Sequence, residues 1–345
     1  MSNMRSKKSK DGKGAKGTSK GKTPNKVIYI GNFRPAHSTE NHIALSFESM
    51  GWEVIRYQED DIPMFSSNKI NEITRNSAGA KFLLWTRTWA EVEDNVWQII
   101  KNIKIPTVSY HLDLYLGIKR GKDIHETPFF NTDYVFSADG GNDKKFEKLG
   151  VNHFFLSPGV LEEECVKGEY NKKFDFDVVF LGSYYYHNEW EYRKILIEWL
   201  AKTYGNHFQL YGGDQVFGLY GKVWGQEKND LFASAKIVMG DSLFSKNYWS
   251  DRIPETIGRG GFHIHPYIED MDQKKEFKYF KHFVPYQYND FKTLKMVIDY
   301  YIKHDKEREI IRNEGMEYVR THHTYRHKLE YVLSILEKNG WKKNT

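Results

Sequence analysis

Trp249-Ser-Asp-Arg-Ile-Pro-Glu-Thr-Ile-Gly-Arg-Gly-Gly-Phe-His-Ile-His-Pro266 decides how the chain is read. It spells a short helix entered near Ser250 or Asp251 and stopped by the glycines from Gly258 to Gly261. A strand then runs from Phe262 to His265. In an open α/β sheet, ligands sit outside the carboxyl ends of the strands, and a helix starting there offers unpaired N–H groups to an anion. One turn inside, Glu255 can accept hydrogen bonds from a ribose diol, and Arg252 beside it can pair with a phosphate. An exposed helix with an ordinary arginine and glutamate has the same spacing.

Working upstream, strands end in glycine three more times: Val178–Leu181 before Gly182, Phe208–Tyr211 before Gly212-Gly213, and 236–239 before Gly240. A helix over 189–204 separates the first two. Glycine at such a strand end permits close backbone approach to a ligand. Gly182-Ser183 leads directly into Tyr184-Tyr185-Tyr186, whose rings suit stacking on a sugar or a base. Downstream, Leu294, Val297, Ile298 and Tyr301 follow helical spacing. Asp305 can cap a further helix, and Thr324 a last one burying Leu329, Val332, Leu333 and Leu336.

The first half alternates in the same way. Val27-Ile28-Tyr29-Ile30 ends in Gly31, and Ser38 or Thr39 caps a helix burying Ile43, Ala44, Phe47 and Met50, with Gly51 as its stop. Strands are predicted at 53–57, 81–86, 107–111, Tyr134–Ser137 and 153–156. A helix places Trp89, Val92, Val96, Ile99, Ile100 and Ile103 on one face, and another fills the interval between the last two strands. The polar stretch 162–173 suits a linker. The expectation is two Rossmann-like, doubly wound α/β domains facing a cleft, with C-terminal helices. Residues 26–165 form the first domain, 174–323 the second, and 324–345 a final helix and tail.

Composition bounds the rest. The chain has 345 residues and no apolar run long enough to span a membrane, and no apolar stretch follows the basic N-terminus, so a cytoplasmic protein is expected. Cys165 is the only cysteine, which excludes an internal disulfide and a cysteine-built zinc site. Arg5 and eight lysines, among them Lys7, Lys8, Lys10 and Lys13, stand against Asp11 in residues 1–26. That segment therefore carries +8 of a chain total of +5, and the remainder holds −3. Interleaved Lys, Gly and Ser cannot bury enough to offset chain entropy, so residues 1–25 are expected to be a disordered arm. It suits either a polyanion such as nucleic acid or a merely solubilising role.

The opening segment resembles the C-terminal signature of GT-B glycosyltransferases of the group-1-like kind, of phage and bacterial type, in which an R-x-x-E motif precedes a small-residue turn and the next strand. Phe283-Val284-Pro285-Tyr286, the Arg308–Gly315 stretch and His323-Thr-Tyr-Arg326 fit the same pattern, and Gly31-Asn32-Phe33 with Ser38-Thr39-Glu40-Asn41 extends it weakly to the first half. The resemblance implies a nucleoside diphosphate sugar, a UDP-sugar above all, as co-substrate with no bound cofactor. Gly31, Gly182, Ser183, Tyr184, Gly212, Arg252 and Gly260 are expected around it, with Glu255 on the donor ribose. Many relatives carry a second glutamate eight positions before the first; here that place is Asn247.

On the acceptor side, Ser109-Tyr-His-Leu-Asp-Leu-Tyr115 follows a predicted strand, and His111 and Asp113 alternate with Leu112. In an inverting transfer Asp113, with His111 beside it, can remove the acceptor proton. In a retaining transfer the pair holds the sugar, and a turn aspartate beside a satisfied histidine has the same spacing. Asp139-Gly140-Gly141 is a second candidate mouth. His111-x-Asp113 and His263-x-His265 lack a third metal ligand nearby, and Asp175-x-Asp177 and Asp270-x-Asp272 read as solvated, so a metal-independent site is expected. No G-x-G-x-x-G follows the first strand and no G-x-x-x-x-G-K-[ST] occurs, which argues against a dehydrogenase and a P-loop phosphotransferase. The acceptor hydroxyl is left among a hydroxymethylated DNA base, towards which the arm tilts, a cell-surface polysaccharide and a small metabolite. If phage-encoded, the protein would work in the host cytoplasm. A non-catalytic sugar- or nucleic-acid-binding module on the same fold is the competing class.

Overall fold

The computed structural model describes residues 24–64, 67–86, 93–116, 124–185, 190–212, 221–271 and 276–343. The basic arm up to Thr23, with Lys7, Lys8, Lys10 and Lys13, lies outside the described residues, as do Trp89, Val92, Tyr186, Gly213 and Asp272.

Short apolar runs bounded by turn residues become parallel strands, fully buried at the centre of the sheet and partly exposed at its edges. β1 (Lys26–Gly31), β2 (Glu53–Gln58), β3 (Phe82–Trp85), β4 (Thr107–His111), β5 (Tyr134–Ser137) and β6 (His153–Phe155) form one sheet in the order β2-β1-β3-β4-β5-β6. Alternate residues of β1 feed two different cores. Ile28 and Ile30 pack with Trp85, Ile99 and Phe129, whereas Val27 and Tyr29 pack with Phe47 and Leu84. The helices that cover the sheet are α1 (Thr39–Ser49), α2 (Ser67–Asn76), α3 (Glu93–Asn102) and α4 (Asp143–Lys148). Ser38 caps α1, its Oγ accepting from the backbone N–H of Asn41 at 3.1 Å.

The second sheet repeats the plan. β7 (Val178–Leu181), β8 (Phe208–Tyr211), β9 (Ile237–Met239), β10 (His263–Pro266) and β11 (Val284–Tyr286) run parallel in the order β11-β10-β9-β7-β8. Here α5 (Tyr192–Tyr204), α6 (Gly225–Ser234), α7 (Arg252–Gly258), α8 (Phe291–Lys303) and α9 (Asp305–His322) surround it. In each sheet the first strand lies between the second and the third, so the order reverses at β1/β3 and at β7/β9. Those reversals are the places where an open α/β sheet leaves a crevice.

α10 (Tyr325–Lys338) packs back on the first domain: Tyr325, Leu329, Val332 and Leu336 fill its core beside Val27, Tyr29, Ile43 and Phe47. The helical stripe is the predicted one; its partner is the other half of the chain. Among the described residues no helix is long and apolar enough to cross a membrane.

Candidate active site

The crevice of the second sheet is a cavity of about 400 Å³ lined by Gly182, Ser183, Gly212, Lys228, Arg252 and Glu255, with Trp224 at its edge. The glycines are required there. Gly182 has φ +151°, and a Cβ on it would lie 2.5 Å from the Arg252 guanidinium; a Cβ on Gly212 would overlap the carbonyl oxygen of Gly182. Arg252 donates to the Leu181 carbonyl, lies over the Phe180 ring at 5.2 Å and places Nε 3.6 Å from Asp241. Asp241 is fully buried and accepts from Arg193 Nε at 3.0 Å and from Trp190 Nε1 at 2.9 Å. Burial alone would raise its carboxyl, but Arg193 and Arg252 outweigh that and hold it below the ordinary carboxylate value.

Glu255 Oε2 accepts from Lys228 Nζ at 2.7 Å and from Arg259 Nε at 2.8 Å. Burial pushes its carboxyl up while Lys228 opposes the shift. Arg259, lowered to about 10 by burial, also donates to Asn229 Oδ1 at 2.7 Å and to Glu164. The wall thus carries three cations, Lys222, Lys228 and Arg252, and a carboxylate, Glu255, fixed by two donors. This is a set able to hold a diphosphate and a ribose diol.

The crevice of the first sheet is a cavity of about 300 Å³ lined by Asn32 after β1, Thr86 after β3, and His111, Leu112 and Asp113 at the end of β4. Glu40 of α1 and Tyr325 of α10 complete it. His111 Nδ1 lies 2.6 Å from the backbone carbonyl of Asp113. A carbonyl only accepts, so Nδ1 carries the proton and Nε2 is the basic nitrogen of the ring. The pair is therefore joined through backbone, with His111 buried among Tyr115 and Phe129 and Asp113 exposed. Asp251, at the entry of α7, lines both cavities.

Of the residues expected at the site, Gly182, Ser183, Gly212, Arg252 and Glu255 meet in the second cavity and His111 and Asp113 in the first. Gly31 lines neither; it lets Glu40 and Thr86 approach, since a Cβ there would lie 2.7 and 2.8 Å from them. Two further assignments are corrected. Tyr184 turns into the core, its hydroxyl donating to Glu198 at 2.6 Å. Gly260 lies past the end of α7 with φ +82°, packed on Lys167 and away from both cavities. Asp139-Gly140-Gly141 is a joint and not a mouth. The Asp139 carboxylate accepts the N–H groups of Tyr115 and Leu116 at 2.9 and 2.7 Å, and Gly140 packs on the backbone of Asn247. His263 and His265 are buried against backbone carbonyls, and burial lowers His265 to about 4. Asp177 pairs with Lys236 at 2.7 Å. Lys228 and Trp224 escaped the sequence reading because no spacing marks them, and Glu40 and Tyr325 stood there only within quoted motifs, without a role.

Comparison with known proteins agrees with this geometry. Residues 193–334 match the family described as "Glycosyl transferase-like". No curated protein matches the chain. Among solved structures, Anabaena HepE in complex with UDP and glucose superposes with a TM-score of 0.65 at 11% identity, covering 91% of this chain and 100% of that one. A glycosyltransferase from Rickettsia africae gives 0.65 at 11% identity, covering 91% and 98%. An α-glucosyltransferase in complex with UDP-glucose and DNA containing an abasic site gives 0.65 at 10% identity, covering 91% and 99%. The chain has the GT-B fold, and residues 193–334 of it resemble the glycosyl transferase-like family.

Proposed function

We propose that the protein transfers a sugar, a hexose or pentose, from a UDP-sugar held in the cavity of the second domain to an acceptor hydroxyl in the cavity of the first. The observation that carries this reading is Asp251, which lines both cavities. A donor with its diphosphate at Lys228 and Arg252 and its ribose on Glu255 would present its sugar at that shared wall, facing His111 and Asp113. His111 Nε2 or the Asp113 carboxylate then takes the acceptor proton as the new glycosidic bond forms and UDP departs. The cations and the start of α7 would stabilise the leaving diphosphate without a metal. Glu255→Gln is expected to weaken UDP-sugar binding about 10- to 100-fold, the worth of hydrogen bonds to a charged group, as measured by calorimetric titration; unchanged affinity would sink the ribose assignment.

For the acceptor we favour a hydroxymethylated DNA base. Supporting it are the +8 charge of residues 1–26 and the likeness to a glucosyltransferase solved with DNA. The arm would retain the polymer by phosphate contacts while the cavity takes an extruded base. Deleting residues 1–25 is then expected to flatten the salt dependence of DNA binding and slow transfer to hydroxymethylcytosine DNA. An identical salt slope without the arm would turn the reading towards a polysaccharide or small-molecule acceptor.

A further inference from the structure

His37, in the loop after β1, His42 on α1 and Glu164 in the linker between the domains converge at a place that neither cavity includes. One ligand atom from each lies within 4.8 Å of the others. His37 Nδ1 is 3.7 Å from Glu164 Oε1, and His42 Nε2 is 3.6 Å from Glu164 Oε2. Two ligands of one tetrahedral zinc ion lie about 3.3 Å apart, given bond lengths of about 2.0–2.1 Å. The trio needs only side-chain adjustment to reach that spacing.

We propose that His37, His42 and Glu164 form a site for a divalent transition metal, zinc above all, which ties α1 of the first domain to the interdomain linker.

The donor set of two imidazole nitrogens and one carboxylate oxygen suits zinc with water in the fourth position. Two cations, Arg259 and Lys228, stand close to His42. Those two cations do not leave the place net positive: Arg259 pairs with Glu164 and Glu255, and Lys228 with Glu255. Arg259 also orients the Glu164 carboxylate from outside, the usual task of a partner behind a metal ligand. His37 supplies the entry path, its side chain being 39% exposed. Its ring stacks on Trp224 at 5.5 Å and 3°, so the outer ligand already rests on a residue at the edge of the second-domain cavity. The site stands independently of the sugar-transfer reading.

The test is titration of the chelator-stripped, untagged full-length chain with zinc by calorimetry and with cobalt(II) by visible absorption. The expected result is one metal per chain, an intense cobalt band of tetrahedral type and a melting temperature that rises with zinc. His37→Gln and His42→Gln should each weaken zinc at least about tenfold and abolish the cobalt band. His37→Gln, at a part-exposed loop residue, should melt like the wild type without metal, so its loss of binding reads as a lost ligand even if His42→Gln does not fold. Absence of stoichiometric zinc binding, or binding that persists unchanged in His37→Gln, overturns the proposal.

Discussion

Asp113→Asn is expected to lower turnover by about 10²- to 10⁴-fold, the range for loss of a positioned general base, while UDP-sugar affinity stays at the wild-type value. The two effects separate because Asp113 lines the first-domain cavity and the donor groups line the second. Asp113 is exposed and the change to Asn is isosteric, so the fold should be undisturbed. The backbone carbonyl that holds His111 Nδ1 is kept in the variant. Single-turnover kinetics alongside donor titration makes the comparison. Equal loss in both would mean that Asp113 shapes the donor site, and no loss in either would pass the proton-accepting role to His111 Nε2.

Asp241→Ala is expected to destabilise the protein by about 3–5 kcal/mol, the cost of stranding a buried charge. Arg193, 1% exposed, would lose the carboxylate that its Nε and Nη2 meet at 3.0 and 2.9 Å, and Trp190 would lose its acceptor. The same change frees Arg252 from the anion behind it, so donor affinity should fall with stability. The pH dependence has a definite sign. The Asp241 carboxyl is held below its ordinary value in the folded state, so its stabilisation is present above the unfolded value of about 4 and is lost as the pH falls through the folded one. Denaturant melts at neutral and acid pH should show this acid sensitivity in the wild type and less of it in Asp241→Ala. Replacing Arg193 and Asp241 together by apolar residues of similar size should recover much of the loss.

How far the sequence disclosed these features follows from what each depends on. Strands such as Val178–Leu181 and Tyr134–Ser137 were legible because a buried parallel strand is a nearly continuous apolar run closed by a turn residue. α2 and α6 were not, since few of their residues are apolar: Ile70 and Ile73 in the one, Leu231 and Phe232 in the other. β11 was masked by Pro285, which an edge strand tolerates. The stripe of α10 was visible but its partner was not, because periodicity reports that a face is buried and not against what. Arg252 and Glu255 were accessible through local motif and helix entry. Tyr184 failed by direction, since a strand end brings residues to the crevice but backbone geometry decides which of them point into it; Gly260 failed by place, lying between α7 and the start of β10, where it packs on Lys167. Lys228 and the group of His37, His42 and Glu164 are separated in sequence and joined only by folding, so no spacing foretold them.

The decisive measurement is titration of the full-length protein with UDP, UDP-glucose and the other nucleoside diphosphates and their sugars, since the proposed transfer depends on a donor in the second-domain cavity. Saturable binding is expected, confined to one nucleotide family, the uridine one, and weakened about 10- to 100-fold in Glu255→Gln. No binding of any nucleotide by a folded sample, or equal binding in Glu255→Gln, would contradict it and favour a sugar- or nucleic-acid-binding module that keeps the fold without the transfer.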